Sequence, residues 1–239
     1  MKRRDLVAGL AAAGVAAAAE SSGEGSLYIP RNHRVEDRAL LHDFMDEFAF
    51  ADLVTGVPEI EITHIPVLLD RSAGRYGTLF GHISRQNPQG RAFDGQHAAV
   101  IVFRGPHSYI SPSWYAKAEA VPTWNFAVVH ASGRLQGITD TEELHHLLSK
   151  LVRKFENGDP PAYDLNKLPE SYLHGMIGGI IGFRMEIERL EGKFKLGQER
   201  SEADREGILR NLRAARPGRS LYDLTASYYA RVRDEAPGR

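Results

Sequence analysis

Gly105-Pro-His-Ser-Tyr-Ile-Ser-Pro-Ser-Trp-Tyr115 and, a few residues on, Val121-Pro-Thr-Trp-Asn-Phe126 carry both tryptophans of the chain and two of its nine tyrosines. The stretch reads as a strand end, a proline-bracketed loop and the next strand. Large flat side chains interleaved with hydroxyls and amides suit a planar ligand with a polar rim, because rings cover its face while short polar groups meet its edge. The same residue types suit an aromatic-cornered β-domain whose rings fill core. On residue types alone both readings stand.

Outward from this stretch, strands dominate. Residues 98–103 form an apolar run that stops at Gly105-Pro106, and 124–131 continue through Ser132-Gly133 into 135–138 as a hairpin. Segments 51–57 and 60–69 are β-branched and apolar, 76–83 follow a turn signal at 70–74, and 180–190 alternate in the manner of a half-buried strand. Helices are expected over 36–47, from Asp140 or Thr141 to the breaker Gly158-Asp-Pro-Pro161, over 165–177, and from the capping box Ser201–Asp204 to about residue 215. A peripheral helix follows over 221–232. Six or so short strands interrupted by helices, without βαβ alternation, predict a mainly β, α+β chain built on an antiparallel barrel.

The two central motifs resemble the signature of the PaiB-type FMN-binding proteins, a branch of the FMN-binding split-barrel superfamily. Further matches are Leu27-Tyr-Ile-Pro30, Thr63-His-Ile-Pro-Val-Leu-Leu-Asp70, Gly81-His82 with Asn87-Pro-Gln89, and Glu191-Gly-Lys-Phe-Lys-Leu196 with Gln198 and Arg200–Asp204. The chain departs from the pattern at Gly90, where Trp is expected, at Phe126 in place of Tyr, and at Gly197 and Glu199 in place of Ser and Asn. The resemblance implies a Greek-key split barrel with peripheral helices, paired as a homodimer with FMN in the groove between subunits. The chain is expected to divide into a leader and linker over 1–25, an FMN-binding domain over 26–216 and a C-terminal helical extension over 217–239.

FMN needs cations, hydroxyls or N–H groups for its phosphate, a dry slot for its ring, and donors or positive charge at its N1/C2=O edge. The resemblance places phosphate ligands at the end of the strand 76–83, which nominates Ser84, Arg85 and Asn87. Lys193 and Lys195, on one side of a strand, are second candidates that approach from the partner subunit. Thr63 and His64 open a segment that lines the flavin by likeness, and His82 sits on a neighbouring strand. Ser111, Trp114, Trp124 and Asn125 are nominated for the ring and its edge. Each has a plain structural alternative: solvated surface charge for Arg85 and the lysines, satisfied strand residues for the histidines, dimer core for the tryptophans.

Residues 1–25 show a basic head with Arg3-Arg4, an Ala/Gly/Leu/Val stretch over 6–19, and small residues before Glu20. That order is a cleavable leader, and the twin arginine points to the Tat route, which exports folded proteins. The stretch is too short and alanine-rich to span a bilayer, which takes about 20 strongly apolar residues. The alternative is an Ala-rich helical extension on a cytoplasmic protein. The absence of cysteine excludes thiol catalysis and cysteine-held metals. The ten histidines show no HExxH or carboxylate-plus-His spacing, so no metal centre is expected.

Three functions follow. The first is an exported FMN-dependent oxidoreductase on a small substrate whose identity the sequence does not specify. The second, implied by the PaiB likeness, is an FMN-binding negative transcriptional regulator. With 30 basic against 31 acidic residues overall, and ten basic against seven acidic over 181–220, the chain lacks the electrostatic footprint of a DNA-binding protein. The third is a haem-handling or non-catalytic flavin-binding protein, with His64, His82, His107 or His130 as axial ligand.

Overall fold

The computed structural model describes residues 25–116, 119–156, 163–215 and 221–235, so the leader lies outside the described residues. In chain order the elements are β1 (Arg34–Val35), α1 (Arg38–Glu47), β2 (Phe50–Thr55), β3 (Glu61–Pro66), β4 (Leu68–Asp70), β5 (Thr78–Ser84), β6 (Asp94–Ile110) and β7 (Thr123–Ile138). Then come α2 (Thr141–Phe155), α3 (Glu170–Gly178), β8 (Ile180–Lys195), α4 (Glu202–Ala215) and α5 (Leu221–Glu235).

All strands join one antiparallel sheet in the order β3-β2-β6-β7-β8-β5-β4, with β1 added along the second half of β8. The non-sequential order is the Greek-key signature, and the sheet curls as the predicted split barrel does. Alternate residues are apolar and face the enclosed side of the curl: Leu53, Ile101, Phe103, Val129, Leu135, Phe183, Met185, Ile187 and Phe194 all point to one interior and are essentially inaccessible. The curl brings β3 against β5, where Ile65 Cδ1 lies 3.5 Å from where a side chain on Gly81 would begin.

Two turn signals do not end strands. Gly105-Pro106 lies inside β6, where the register shifts between Arg104 and His107 and the strand carries one extra residue. A Cβ at Gly105 would stand 2.7 Å from the Phe44 ring, so the glycine admits α1 rather than a turn. Ser132-Gly133 is likewise no hairpin: β7 runs through it, with a register shift against β8 and no room for a Cβ beside Glu186 O. The expected single strand over 60–69 is two, β3 and β4, broken at Val67, whose N–H turns to Ala49 O.

Helices cap the open faces. Asp37 caps α1 by accepting from Ala39 and Leu40 N–H, and Phe44 carries the helix onto Phe194. Asp140 caps α2, which packs with α3 over Phe80 and Ile138 as a second small core. Trp114 and Tyr115 pack against α4 and α5 at the other end of β8. The last helix is tied in through Tyr229, whose hydroxyl donates to Leu196 O, and Arg231, which pairs with Asp37.

Candidate functional site

Eight of the nominated residues fall into two groups, and four lie apart from both. The first group is gathered by the turn after β5. Asn87 Nδ2 donates to Thr63 Oγ1 on β3 at 2.9 Å, while its Oδ1 accepts from Gln89 N–H at 3.0 Å. That docks the turn on β3 and draws Thr63, His64, Ser84, Arg85 and Asn87 to one edge. Arg85 is rooted at the C-terminus of α3, donating from its main-chain N–H to Gly179 O and from Nε to Gly178 O, both at 2.9 Å. Terminal carbonyls and the helix dipole favour a cation there, and the exposed guanidinium tip remains for a ligand.

His64 is more tightly held than its sequence suggests. Its Nδ1 lies 2.5 Å from Asp52 Oδ1 across the β2–β3 pair, and Arg104 reaches the other carboxylate oxygen at 2.9 Å. A carboxylate on Nδ1 fixes the ring and leaves Nε2 to face outward. Asp52 and Arg104 escaped the sequence reading. The signal was present, since Asp52 interrupts an apolar strand on its outward side. Gln89, also missed, is fully buried and places Nε2 within 3.0–3.1 Å of Leu53 O, Thr55 Oγ1 and Glu61 O, pinning the ends of β2 and β3 under the turn.

The second group lies on the outer face near the C-terminal end of β8. Trp124 is 48% exposed, donates from Nε1 to His107 Nδ1 at 3.1 Å and stands edge-on to Tyr109. Lys195 Nζ donates to Thr123 Oγ1 at 2.7 Å, and Lys193 Nζ to Tyr28 O at 2.8 Å, above the Phe126 ring. Burial and the neighbouring Lys195 push the Lys193 ammonium below the ordinary lysine value. The result is an aromatic shelf beside a pair of cations whose mutual repulsion an anion would relieve.

The remaining nominees sit elsewhere. Trp114 faces α4, with its carbonyl against Gly207, so the two tryptophans do not share a wall within one chain. Asn125 points into the core at 1% exposure, with Nδ2 unpartnered among the described residues. Ser111 caps its own turn, accepting from Ser113 N–H at 3.2 Å. His82 lies on the row of Phe80, opposite Gly182, and burial pushes its imidazole down. No hydrogen bond joins it to His64 among the described residues. Of the other histidines, His107 is taken by Trp124, and His130 meets Ser26 Oγ at 3.1 Å.

The Ser84–Arg85 turn and the lysine pair are far apart in one protomer, whereas His64 lies in register with Asp52, Val102, His130 and Glu191 across the sheet, level with the lysine end of β8. Ser84 pairs with Ile180 at the start of β8, and Phe126 with Lys195 at its end. At roughly 3.3 Å per residue, that is about 50 Å of strand path. Between them the outer face of β2, β3, β6 and β7 exposes Phe50 (69%), Ile62 (57%) and Tyr109. No helix of the described residues is long and apolar enough to cross a membrane.

Comparison with known proteins places these features in context. Residues 27–189 match the family model described as "Putative FMN-binding domain". The chain is 33% identical over 189 residues to the protease synthase and sporulation protein PAI 2 of Bacillus subtilis (strain 168), covering 78% of this chain and 89% of that one. It is 31% identical to an uncharacterized protein of Aspergillus fumigatus, covering 77% and 89%. Among solved structures, it resembles the flavocytochrome Anf3 of Azotobacter vinelandii (TM-score 0.52, 15% identity, 70% of this chain and 72% of that chain). It also resembles an FAD- and haem-binding protein of Mycobacterium smegmatis (TM-score 0.51, 15% identity, 68% and 73%). At these identities the structural likeness speaks for the fold.

Proposed function

The chain belongs to the PaiB-type family of FMN-binding domains, and on that premise we propose that it is a homodimeric FMN flavoprotein that passes a hydride or electrons to a small substrate. The observation that carries the flavin is the family match over residues 27–189. The residues present fit the group. Ser84 and the tip of Arg85 supply a hydroxyl and a cation for the phosphate, and Lys193 and Lys195 supply a further cationic patch. Trp124, half exposed, offers an apolar ring face, with Tyr109 edge-on beside it.

The exposed apolar residues of the outer sheet face suit two-fold packing, which is part of the same reading. Such packing would bury Phe50, Ile62 and Trp124, and set the lysine end of one protomer toward the Arg85 end of the other, joining two half-sites that one chain keeps apart. FMN bound there supplies hydride or electron transfer. His64, held through Nδ1 by Asp52, keeps Nε2 ready to give or take a proton at the ring edge. Asp52 is in turn held by Arg104, so the imidazole is oriented before any ligand arrives.

The test is direct. Purified protein should be yellow, heating should release FMN rather than FAD, and its mass in solution should be that of two chains. Phe50→Asp should yield a folded monomer that has lost its flavin. A colourless protein that also ignores added FMN overturns the reading.

Export by the Tat route is part of the proposal and is carried by Arg3-Arg4. Fusing residues 1–25 to a reporter tests it; export that survives replacement of both arginines by lysine refutes it. The identity to the Bacillus subtilis relative, named for protease synthesis and sporulation, supports a second reading as a regulator of gene expression. Sequence-selective retardation of duplex DNA at physiological salt would favour it over the first.

A further inference from the structure

A cleft of about 410 Å³ opens between the edge strand β4 and the flank of α2. Its floor is apolar: Leu68 and Phe80 are cross-strand partners, and Ile138 and Leu147 close the far side. The helix contributes Glu143, His146, Leu147 and Lys150, spaced i, i+3, i+4 and i+7, so a single face of α2 looks into the opening. Such a volume lies within the range of small-molecule sites, roughly 300–1,000 Å³.

The charges at its mouth are unequally used. Arg184, next to Phe80 across the β5–β8 pair, donates from Nε to Gln136 Oε1 at 2.8 Å, leaving its terminal nitrogens toward the cleft rim. Lys150 makes no hydrogen bond among the described residues. Nearby cations behave differently: Arg71 is gripped by Asp43 and Asp46, and Lys154 by Asp46. Of the acids on the rim, Asp70 is turned onto its own loop, accepting from Ser72 N–H and Oγ. Glu143 sits in the first turn of α2, where the helix N-terminus already favours its charge. Neither carboxylate hydrogen-bonds Arg184 or Lys150 among the described residues. Both still lower the local potential, which suits a single negative charge better than a dianion.

We propose that this cleft binds an amphipathic carboxylate, its apolar body on Phe80 and Leu147 and its carboxylate on Arg184 and Lys150. The planar guanidinium matches a carboxylate in fork geometry, and the wet apolar floor gains from being covered. The site shares no side chain with either flavin half-site.

Isothermal titration of the purified full chain with decanoate tests it. One decanoate per chain is expected, with at least tenfold weaker binding in Arg184→Gln and in Lys150→Gln, and similarly weak binding of uncharged decanol to the wild type. Lys150 is exposed, so its variant folds even if Arg184→Gln does not. Flavin content, read by absorbance in the same samples, should stay unchanged. Because the titration needs no flavin, it remains decisive if the protein proves colourless. Absent binding, equal affinity in Lys150→Gln, or decanoate that displaces flavin would each overturn the proposal.

Discussion

Asn87 on the turn after β5 and Thr63 on β3, 24 residues apart in sequence, are joined by a 2.9 Å hydrogen bond that closes the split barrel between β3 and the end of β5. The same asparagine caps the following turn through Oδ1. Asn87→Ala removes both interactions and should cost about 1–3 kcal/mol of unfolding free energy in urea. Thr63→Val removes only the cross-strand bond and should cost less, about 0.5–1.5 kcal/mol. Equal losses would mean that the cap contributes nothing.

Gln89 should matter more to stability than any nominated site residue. Its buried amide faces Leu53 O, Thr55 Oγ1 and Glu61 O, and no water can replace it without opening the turn. Gln89→Leu keeps the volume but strands these acceptors, at a cost of about 2–4 kcal/mol. A midpoint shift of under a degree in thermal unfolding would show the contacts to be dispensable.

Lys193 and Lys195 should set flavin affinity through charge. Replacing either by Met should weaken FMN binding about 10–100-fold, the worth of a charge-assisted hydrogen bond. The Lys193 ammonium lies below the ordinary lysine value, and a bound phosphate would raise it. Calorimetry in buffers of different ionisation heat should therefore show proton uptake on FMN binding in the alkaline window between the lowered value and the ordinary one. Proton release there would place the phosphate elsewhere.

Acid should weaken the fold. Burial is the leading cause that pushes His33, His82 and His130 below the ordinary value of 6.5. Each is neutral in the folded chain, while the unfolded chain binds a proton as pH falls through 6.5. Their stability contribution is thus full above that value and is lost below it, toward the lowered folded values. Urea unfolding should give a smaller free energy at pH 5.5 than at 7.5, and His82→Gln should narrow the gap. A gap unchanged by that substitution would remove His82 from the account.

Gly207 is a packing requirement. A Cβ there would lie 2.0 Å from Trp114 O, a backbone atom that cannot yield without moving the turn. Gly207→Ala should therefore loosen α4 from the 112–115 turn, lowering stability by about 1–3 kcal/mol despite alanine's better helix propensity. Trp114 fluorescence should shift to the red. A stabilised protein with unchanged emission would show that the turn adapts freely.

Much of the fold was legible because burial writes itself into local patterns. Alternation located the strands and the 3.6-residue stripe located α2, while the two aromatic motifs identified the family. Gly105-Pro106 and Ser132-Gly133 misled, since glycine marks equally a turn or a close approach, and only Phe44 and Glu186 from elsewhere in the chain decide which. The site was harder. The family likeness nominated Thr63, His64 and Arg85, and residue chemistry Trp124 and the lysines, yet partnership is a property of register. The β2–β3 pairing gives Asp52 to His64, the curl of the sheet gives Thr63 to Asn87, and packing of the hairpin tip on α4 parts Trp114 from Trp124. Sequence alone thus determined the family and the inventory of groups, because these depend on local spacing. The tertiary structure decided which groups meet, because side chains distant in sequence are brought together only when the sheet has folded.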